Sequence, residues 1–127
     1  VLVEGDDLNE PVTDAVRGIV DGHIALNRNL AAMNLYPAVD IAQSISRVMI
    51  DVASPEHMAD ANRFRSVLAT YEEARDLIDI GAYKKGSNPR IDEAIALIDN
   101  CHSFLRQGIY DEAVLTDTLT ALHNCIA

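Results

Sequence analysis

Leu35-Tyr36-Pro37-Ala38-Val39-Asp40 and the segment that soon follows it, Ser44-Ile45-Ser46-Arg47-Val48-Met49, decide the fold of this chain. Pro37 fixes its own φ and disfavours helix at Tyr36, so the tyrosine ring is expected in a loop. Asp40 is expected to cap a short helical turn over residues 41–43. Arg47 would then lie just beyond that turn.

Tyr36 and Arg47 have a chemistry in common. The face of a tyrosine ring can stack on a flat heterocycle, and a guanidinium can bridge two phosphate oxygens. Together they indicate nucleotide contact, but the residues leave a second interpretation open. In that interpretation Tyr36 is buried beside a proline turn, and Arg47 lies at the surface or pairs with an acidic side chain of its own chain.

Length and charge limit the possible functions. The 127 residues are 49% hydrophobic, enough for a real core, and no apolar run approaches the roughly 20 residues that span a membrane. Twenty acidic against ten basic residues give a net charge of −10, which disfavours nucleic acid and anionic lipid as direct partners. Two cysteines do not form a disulfide framework and fit a reduced cytosol. The start at Val1, inside a strand-like run, suggests a fragment.

Strand and helix signals alternate over the first 50 residues or so. Residues 1–3 and 23–26 are short, apolar and strand-like. Asn9 is expected to cap a helix that has Pro11 in its first turn, and Asn29 a second, shorter helix. This alternation predicts the edge of an α/β sheet.

The rest of the chain reads as three helices. Ser54-Pro55 predicts the start of a long first helix and Gly81 its end. Asn88-Pro89 predicts the start of the second helix, and the third is expected to begin near Asp111. The expected core residues are Met58, Ala61, Phe64, Leu68, Tyr71, Ala74, Ile78, Ile91, Ile95, Ile98, Leu105, Leu115, Leu119, Leu122 and Ile126. Short connections predict an antiparallel bundle, so the expected domains are residues 1–53 and 54–127.

The sequence disfavours two kinds of site. The chain has no Gly-x-x-x-x-Gly-Lys-Ser/Thr loop for phosphates, so this segment alone is not expected to hydrolyse ATP. Cys101-His102 and His123-x-Cys125 lie on consecutive predicted helices, but their spacing is not that of a standard zinc module. Core cysteines with histidines at the helix edge are the simpler interpretation, and no metal site is expected.

Several ordered motifs resemble the flagellar protein-export ATPases, which are related to type III secretion ATPases and to the catalytic subunits of rotary ATP synthases. The motifs are Val3-Glu4-Gly5-Asp6-Asp7-Leu8-Asn9-Glu10-Pro11, Asp21-Gly22-His23-Ile24, Tyr36-Pro37-Ala38-Val39-Asp40, Ser44-Ile45-Ser46-Arg47-Val48-Met49, Gly81-Ala82-Tyr83 and Gly86-Ser87-Asn88-Pro89. The resemblance implies the α/β edge of a P-loop-type catalytic domain followed by an all-α C-terminal helical bundle.

The resemblance also implies roles for individual residues. Tyr36 matches the tyrosine that stacks on adenine, and Arg47 matches an arginine finger that acts in the neighbouring subunit's site. The stretch Gln107-Gly108-Ile109-Tyr110 falls where related subunits close the far side of the adenine pocket, with Gly108, Ile109 and Tyr110 as the expected binding residues. For Ile109 and Tyr110 a contact between helices remains an equal alternative. ATP and Mg²⁺ are implied for the intact enzyme, with neither expected on this segment alone.

The implied setting is a cytoplasmic homohexamer, peripheral to the inner membrane at an export apparatus and touching the membrane only through the export gate. The implied partners are a coiled-coil stalk protein, a peripheral-stalk regulator and chaperone–substrate complexes. The exposed Lys84-Lys85 pair belongs to the region that faces the stalk in rotary relatives. Two alternatives stay open: a non-catalytic helical module that binds a stalk or chaperone complex, and an ATPase of the virulence-secretion branch.

Overall fold

A small sheet with short helices precedes a bundle of three longer helices in the computed structural model, which describes residues 2–127. A 3-10 turn at Glu4–Asp6 comes first. The elements that follow are α1 (Pro11–Ile19), β1 (Gly22–Leu26), α2 (Arg28–Ala32), β2 (Val39–Ser46), α3 (Met49–Val52), α4 (Pro55–Asp79), α5 (Pro89–Leu105) and α6 (Leu115–Cys125). The predicted class, an α/β edge followed by an all-α bundle, is confirmed.

The sheet consists of β1 and β2, paired antiparallel from Gly22 opposite Ser46 to Leu26 opposite Val39. A Cβ on Gly22 would lie 2.8 Å from the Ile45 carbonyl oxygen, so the close pairing at this end requires glycine. The pairing is irregular between His23 and Ala25. The strand predicted at residues 23–26 is therefore confirmed.

The predicted helical turn after Asp40 is wrong, because residues 41–43 belong to β2. Asp40 Oδ1 does accept hydrogen bonds from the amides of Ala42 and Gln43, at 3.0 and 3.1 Å, as a helix cap would. The backbone nevertheless continues β2: residues 39, 40, 45 and 46 pair with β1, and residues 41–44 form the irregular stretch between them. A capping side chain can thus serve a distorted strand as well as a helix.

Three further predictions near the N-terminus are wrong. Leu2 and Val3 form no strand and Leu2 is fully exposed, while Val1 lies outside the described residues. A strand needs a paired neighbour, and none of the described residues provides one here. The cap of α1 is Glu10, not Asn9, because the Glu10 carboxylate accepts from the amides of residues 12 and 13. The cap of α2 is Asn27, not Asn29.

The ends of α4 match the sequence signals closely. Ser54 Oγ accepts the His57 amide at 3.2 Å, and Pro55 occupies the first helical position. Gly81 ends the helix with φ at +69°, a left-handed conformation that glycine adopts without strain. The next helix, α5, starts as predicted with Asn88 as its cap.

The bundle core lies where α4, α5 and α6 meet, and Phe64 packs edge-on against Phe104 with ring centroids 5.5 Å apart. The buried core residues are Phe64, Val67, Ala94, Cys101, Leu122 and Ile126. The predicted core is therefore confirmed at Phe64, Ala74, Ile98, Leu122 and Ile126.

The sequence misplaced the start of α6 and part of the α5 face. The last helix begins at Leu115 rather than near Asp111, because residues 108–111 form a loop held by their own hydrogen bonds. Leu115, which was predicted to lie in the core, is largely exposed. In α5 the buried positions are Ala94, Ile98 and Cys101, so Ile95 lies at the edge of the face. Between residues 2 and 127 no helix is both long and apolar enough to cross a membrane.

Candidate nucleotide site

Tyr36 lies in the loop between α2 and β2, as its proline neighbour predicts. Its ring is about half exposed, at 51%, so the interpretation of Tyr36 as a buried core residue is wrong. Its backbone carbonyl accepts the amide of Gln107 at 2.7 Å. This hydrogen bond joins the loop before β2 directly to the loop that follows α5.

The loop after α5 folds back on itself around Asp111. The Gly108 amide donates to Asp111 Oδ2 at 2.7 Å, and Gln107 Nε2 donates to the Asp111 carbonyl at 3.2 Å. These bonds give residues 107–111 a defined shape beside Tyr36.

The two loops border a cavity that is open to solvent and has a volume of about 770 Å³. Its lining residues are Asn34, Tyr36, Pro37, Arg106, Gln107, Gly108, Ile109 and Asp111. A flat aromatic ring on one wall and backbone with an aliphatic side chain on the other suit a planar heterocycle. The structure thus brings together the predicted binding residues Tyr36, Gly108 and Ile109, with Gln107 of the same predicted stretch beside them.

Tyr110 does not line this cavity, although the sequence placed it beside Ile109. Both side chains are 94% exposed, so neither packs between helices of the described chain. Four lining residues were missed by sequence reasoning: Asn34, Pro37, Arg106 and Asp111. Pro37 and Asn34 could have been noticed, because proline and asparagine are common turn residues, and Asn34 has a left-handed φ of +56°. Nothing in the sequence marks Arg106 or Asp111 as residues of a site.

Arg47 follows the far end of β2 and does not line the cavity. Its amide donates to the Asp21 carbonyl at 2.8 Å, and its guanidinium Nη2 donates to the Gly18 carbonyl at 3.2 Å. Within residues 2–127 it makes no ion pair, so the predicted alternative of a salt bridge is not found there. Arg47 and the loop of Tyr36 lie beyond opposite ends of the paired strands, which the five residues of β1 span in about 13 Å.

The cysteines and histidines of the bundle do not converge. Cys101 is buried in the core and Cys125 packs beside it, while His123 Nδ1 lies 3.1 Å from Asp60 Oδ2. Burial raises the pKa of the Cys101 thiol to about 12, and the nearby Cys125 adds to the rise. In the part of the chain that the structure describes, no three His, Cys, Asp or Glu side chains are grouped to hold a metal ion.

Two family matches divide the chain. Residues 53–124 match the C-terminal domain of the type III secretion ATPase EscN, and residues 1–46 match the nucleotide-binding domain of the ATP synthase alpha/beta family. The two matches define the class: a segment of an ATPase related to the type III secretion ATPases, whose first part is similar to the nucleotide-binding domain of the ATP synthase alpha/beta family.

Similar proteins narrow the class. The chain is 51% identical, over 96% of its length, to the flagellum-specific ATP synthase of Bacillus subtilis, of which it spans 28%. It matches the assembled ATPase EscN of enteropathogenic E. coli with a TM-score of 0.94 and 40% identity, over all of this chain and 31% of that one. EscN in complex with its central stalk EscO matches with a TM-score of 0.86 and 39% identity, over 93% of this chain and 29% of that one. The chain therefore belongs to the family of flagellar and type III secretion ATPases, of which it represents the C-terminal portion.

Proposed function

We propose that this chain is the C-terminal part of a hexameric ATPase that energises flagellar protein export. In the intact enzyme Tyr36 stacks on adenine, and Gly108, Ile109 and Tyr110 close the far side of that pocket. Arg47 acts as an arginine finger in the site of the neighbouring subunit. The observation that carries the proposal is the cavity shared by Tyr36, Gly108 and Ile109.

Tyr36 suits the adenine role because its ring is accessible while its backbone is fixed. The Gln107 amide holds the Tyr36 carbonyl, and Pro37 restricts the residue that carries the ring. Stacking of a base on a held aromatic ring is worth roughly 1–3 kcal/mol in single-stranded nucleic-acid binding, a useful guide here. Tyr110 is the weakest member of the proposed set, since it lies outside the cavity lining and reaches a nucleotide only if its loop rearranges.

Arg47 suits a role in trans because it is exposed and lies a strand's length from its own chain's base pocket. Its guanidinium has one hydrogen bond, to the Gly18 carbonyl, and no carboxylate partner within residues 2–127. The planar fork remains available for phosphate oxygens, where it would neutralise charge developing on the transferred phosphoryl group. Such a finger contributes roughly 10³-fold or more to the hydrolysis rate in other systems.

ATP with Mg²⁺ is the proposed cofactor pair of the intact enzyme. The exposed ring and the peptide groups around it fit the base of the nucleotide. Mg²⁺ bound with the nucleotide supplies charge neutralisation at the phosphates. No residue of this chain is assigned to the metal, because the sequence lacks a phosphate-binding loop.

Mixed rings test both roles with residues of this chain alone. Tyr36→Ala and Arg47→Ala are made separately in the full-length ATPase and then mixed before assembly. Each variant ring alone should hydrolyse ATP far more slowly than wild type when ATP is scarce. In mixed rings an Arg47→Ala subunit supplies the intact base pocket and its neighbour supplies Arg47, so activity should partly return.

The matched control is Arg90→Ala, an exposed arginine whose side chain has no hydrogen bond in the described chain. Rings of this variant should keep wild-type turnover. Failure of the mixed rings to regain activity, while each variant still assembles and Arg47→Ala still binds ATP, would refute the action of Arg47 in trans.

A second candidate function, a non-catalytic module that binds a stalk, is favoured by the loop between α4 and α5. Lys84 and Lys85 are exposed on a loop that Asp92 holds through the Tyr83 hydroxyl and the Gly86 amide, at 3.0 and 2.9 Å. In the relative EscN, a complex with the central stalk EscO supports a stalk contact for this family. The two functions are compatible within one enzyme. If substitution of Lys84 and Lys85 abolishes stalk binding and leaves ATP turnover unchanged, this loop serves stalk binding alone.

Family membership supports a proposal for the wider setting of the intact protein. We place it in the cytoplasm, peripheral to the inner membrane at the export apparatus, with a peripheral-stalk regulator and chaperone–substrate complexes as further partners. We propose a domain boundary between residues 53 and 54, which lie between the short helix α3 and the capped start of α4. The branch, flagellar or virulence-secretion, is decided by which export defect a deletion strain shows.

A further inference from the structure

Asp111 has no role in the function proposed so far, yet it holds the loop that forms one wall of the cavity. Its Oδ2 accepts the Gly108 amide at 2.7 Å, a short charge-assisted bond. Its own carbonyl accepts Gln107 Nε2 at 3.2 Å, and its amide donates to the Gly108 carbonyl at 3.2 Å. Side chain and backbone of Asp111 therefore both bind the two residues that start the loop.

The carboxylate of Asp111 occupies the space that a side chain at position 108 would need. A Cβ on Gly108 would lie 3.1 Å from Oδ2 and 3.2 Å from both Oδ1 and Cγ of Asp111. A residue larger than glycine would require the carboxylate to shift by a few tenths of an ångström, against the hydrogen bond that it accepts from the Gly108 amide. Gly108 and Asp111 thus form one structural unit.

This unit is fixed to the opposite wall of the cavity through Gln107. The Gln107 amide donates to the Tyr36 carbonyl at 2.7 Å, and the next residue, Gly108, is the one that Asp111 holds. The position of Gly108 and Ile109 relative to the Tyr36 ring therefore depends on the Asp111 carboxylate.

We propose that Asp111 is a positioning residue of the base pocket, which sets the spacing between the Tyr36 ring and the Gly108–Ile109 wall. This rests on the proposed function of the cavity as an adenine site. Asp111 raises affinity for the nucleotide by keeping the pocket preformed, and it takes no part in the transfer of the phosphoryl group.

The test compares Asp111→Ala, Asp111→Asn and Glu112→Ala in the full-length ATPase. Asp111→Ala should raise KM for ATP by roughly three- to tenfold with kcat close to wild type, since one charge-assisted hydrogen bond is lost away from the reacting atoms. Asp111→Asn should recover most of the affinity, because its amide oxygen can still accept the Gly108 amide. Glu112→Ala is the control, an exposed carboxylate next in sequence with no hydrogen bond in the described chain.

A double variant gives a second, independent measurement. Gly108→Ala alone should raise KM because its methyl group displaces the carboxylate, but in the Asp111→Ala background the same substitution should change KM little. Additive effects of the two substitutions would overturn the coupling. So would a fall in kcat with KM unchanged in Asp111→Ala.

Tyr36→Ala separates the two levels of the proposal. If Tyr36→Ala leaves KM for ATP unchanged, the cavity is not the base pocket and the proposed function fails. If Tyr36→Ala raises KM but Asp111→Ala does not, the adenine site stands and only the role of Asp111 is refuted.

Discussion

At the scale of single residues, Cys101 is a core side chain whose chemistry is suppressed by its surroundings. It is fully buried, at 0% exposure, between α5 and α6. Burial disfavours the thiolate, and the neighbouring Cys125 would repel it, so the pKa of Cys101 rises to about 12. Because the thiolate is the reactive form, a sterically small alkylating reagent should find this residue inert.

Iodoacetamide labelling of the full-length protein at pH 10 checks this. An ordinary thiol is mostly ionised at that pH, whereas Cys101 should remain unlabelled in peptide mass spectra until the protein is denatured. Since the folded pKa lies above the unfolded one, this thiol also contributes stability that is complete below about pH 9 and is lost as pH rises toward about 12. Native labelling of Cys101 at pH 10 as fast as in the denatured protein would contradict the prediction.

At the scale of secondary-structure elements, Asp92 connects the start of α5 to the loop that follows α4. One carboxylate oxygen accepts the Tyr83 hydroxyl and the other accepts the Gly86 amide. Gly86 has a φ of +89°, a backbone conformation that glycine adopts freely and that would strain any other residue at this position.

Asp92→Ala should free this loop without unfolding α5. Amide hydrogen exchange at Gly86 should accelerate roughly tenfold, the effect of losing one hydrogen bond of ordinary strength, while exchange at the α5 core positions stays unchanged. The matched control is Asp99→Ala, an exposed acid on the same helix with no side-chain hydrogen bond in the described chain. Equal acceleration in the two variants would mean that Asp92 does not hold the loop.

The elements that the sequence predicted well have their stabilising contacts within a few residues. Ser54 caps α4 by accepting an amide three residues on, so local sequence contains the whole signal. The failure at residues 41–43 depends on a distant partner, because the residues on both sides of this stretch pair with β1. The late start of α6 depends on hydrogen bonds within the loop of residues 107–111, which the helix signals do not indicate.

The candidate site divides in the same way. Tyr36 could be predicted from its proline and its family motif. Asp111 could not, because its role depends on the loop folding back onto Gly108 and on the distant contact between Gln107 and Tyr36.

At the scale of the whole molecule, most of the buried core belongs to the second half of the chain, whereas the first half exposes most of its large apolar side chains. Ile24 and Leu26 lie on the same face of β1 and are 75% and 76% exposed. Among the described residues β1 has one neighbouring strand, β2, so its other edge is open. A short sheet with an open edge and an uncovered apolar face favours association with other chains.

The isolated 127-residue polypeptide should therefore self-associate, and Ile24→Lys should reduce this. Ile80→Lys is the matched control, because Ile80 is also 75% exposed but lies at the end of α4, away from the sheet. Sedimentation velocity over a range of concentrations measures the difference. A wild-type polypeptide that stays monomeric, or an equal effect of both substitutions, would contradict the prediction.

The hydrogen bond between Gln107 and Tyr36 has a mechanical consequence. It joins two walls of one pocket: one wall belongs to the loop before β2, and the other to the loop that follows the bundle helix α5. The affinity of such a pocket depends on the angle between the sheet segment and the helix bundle. Under the proposed function, a torque that tilts the bundle would open the pocket and release the base, and binding of the nucleotide would exert the opposite torque on the bundle.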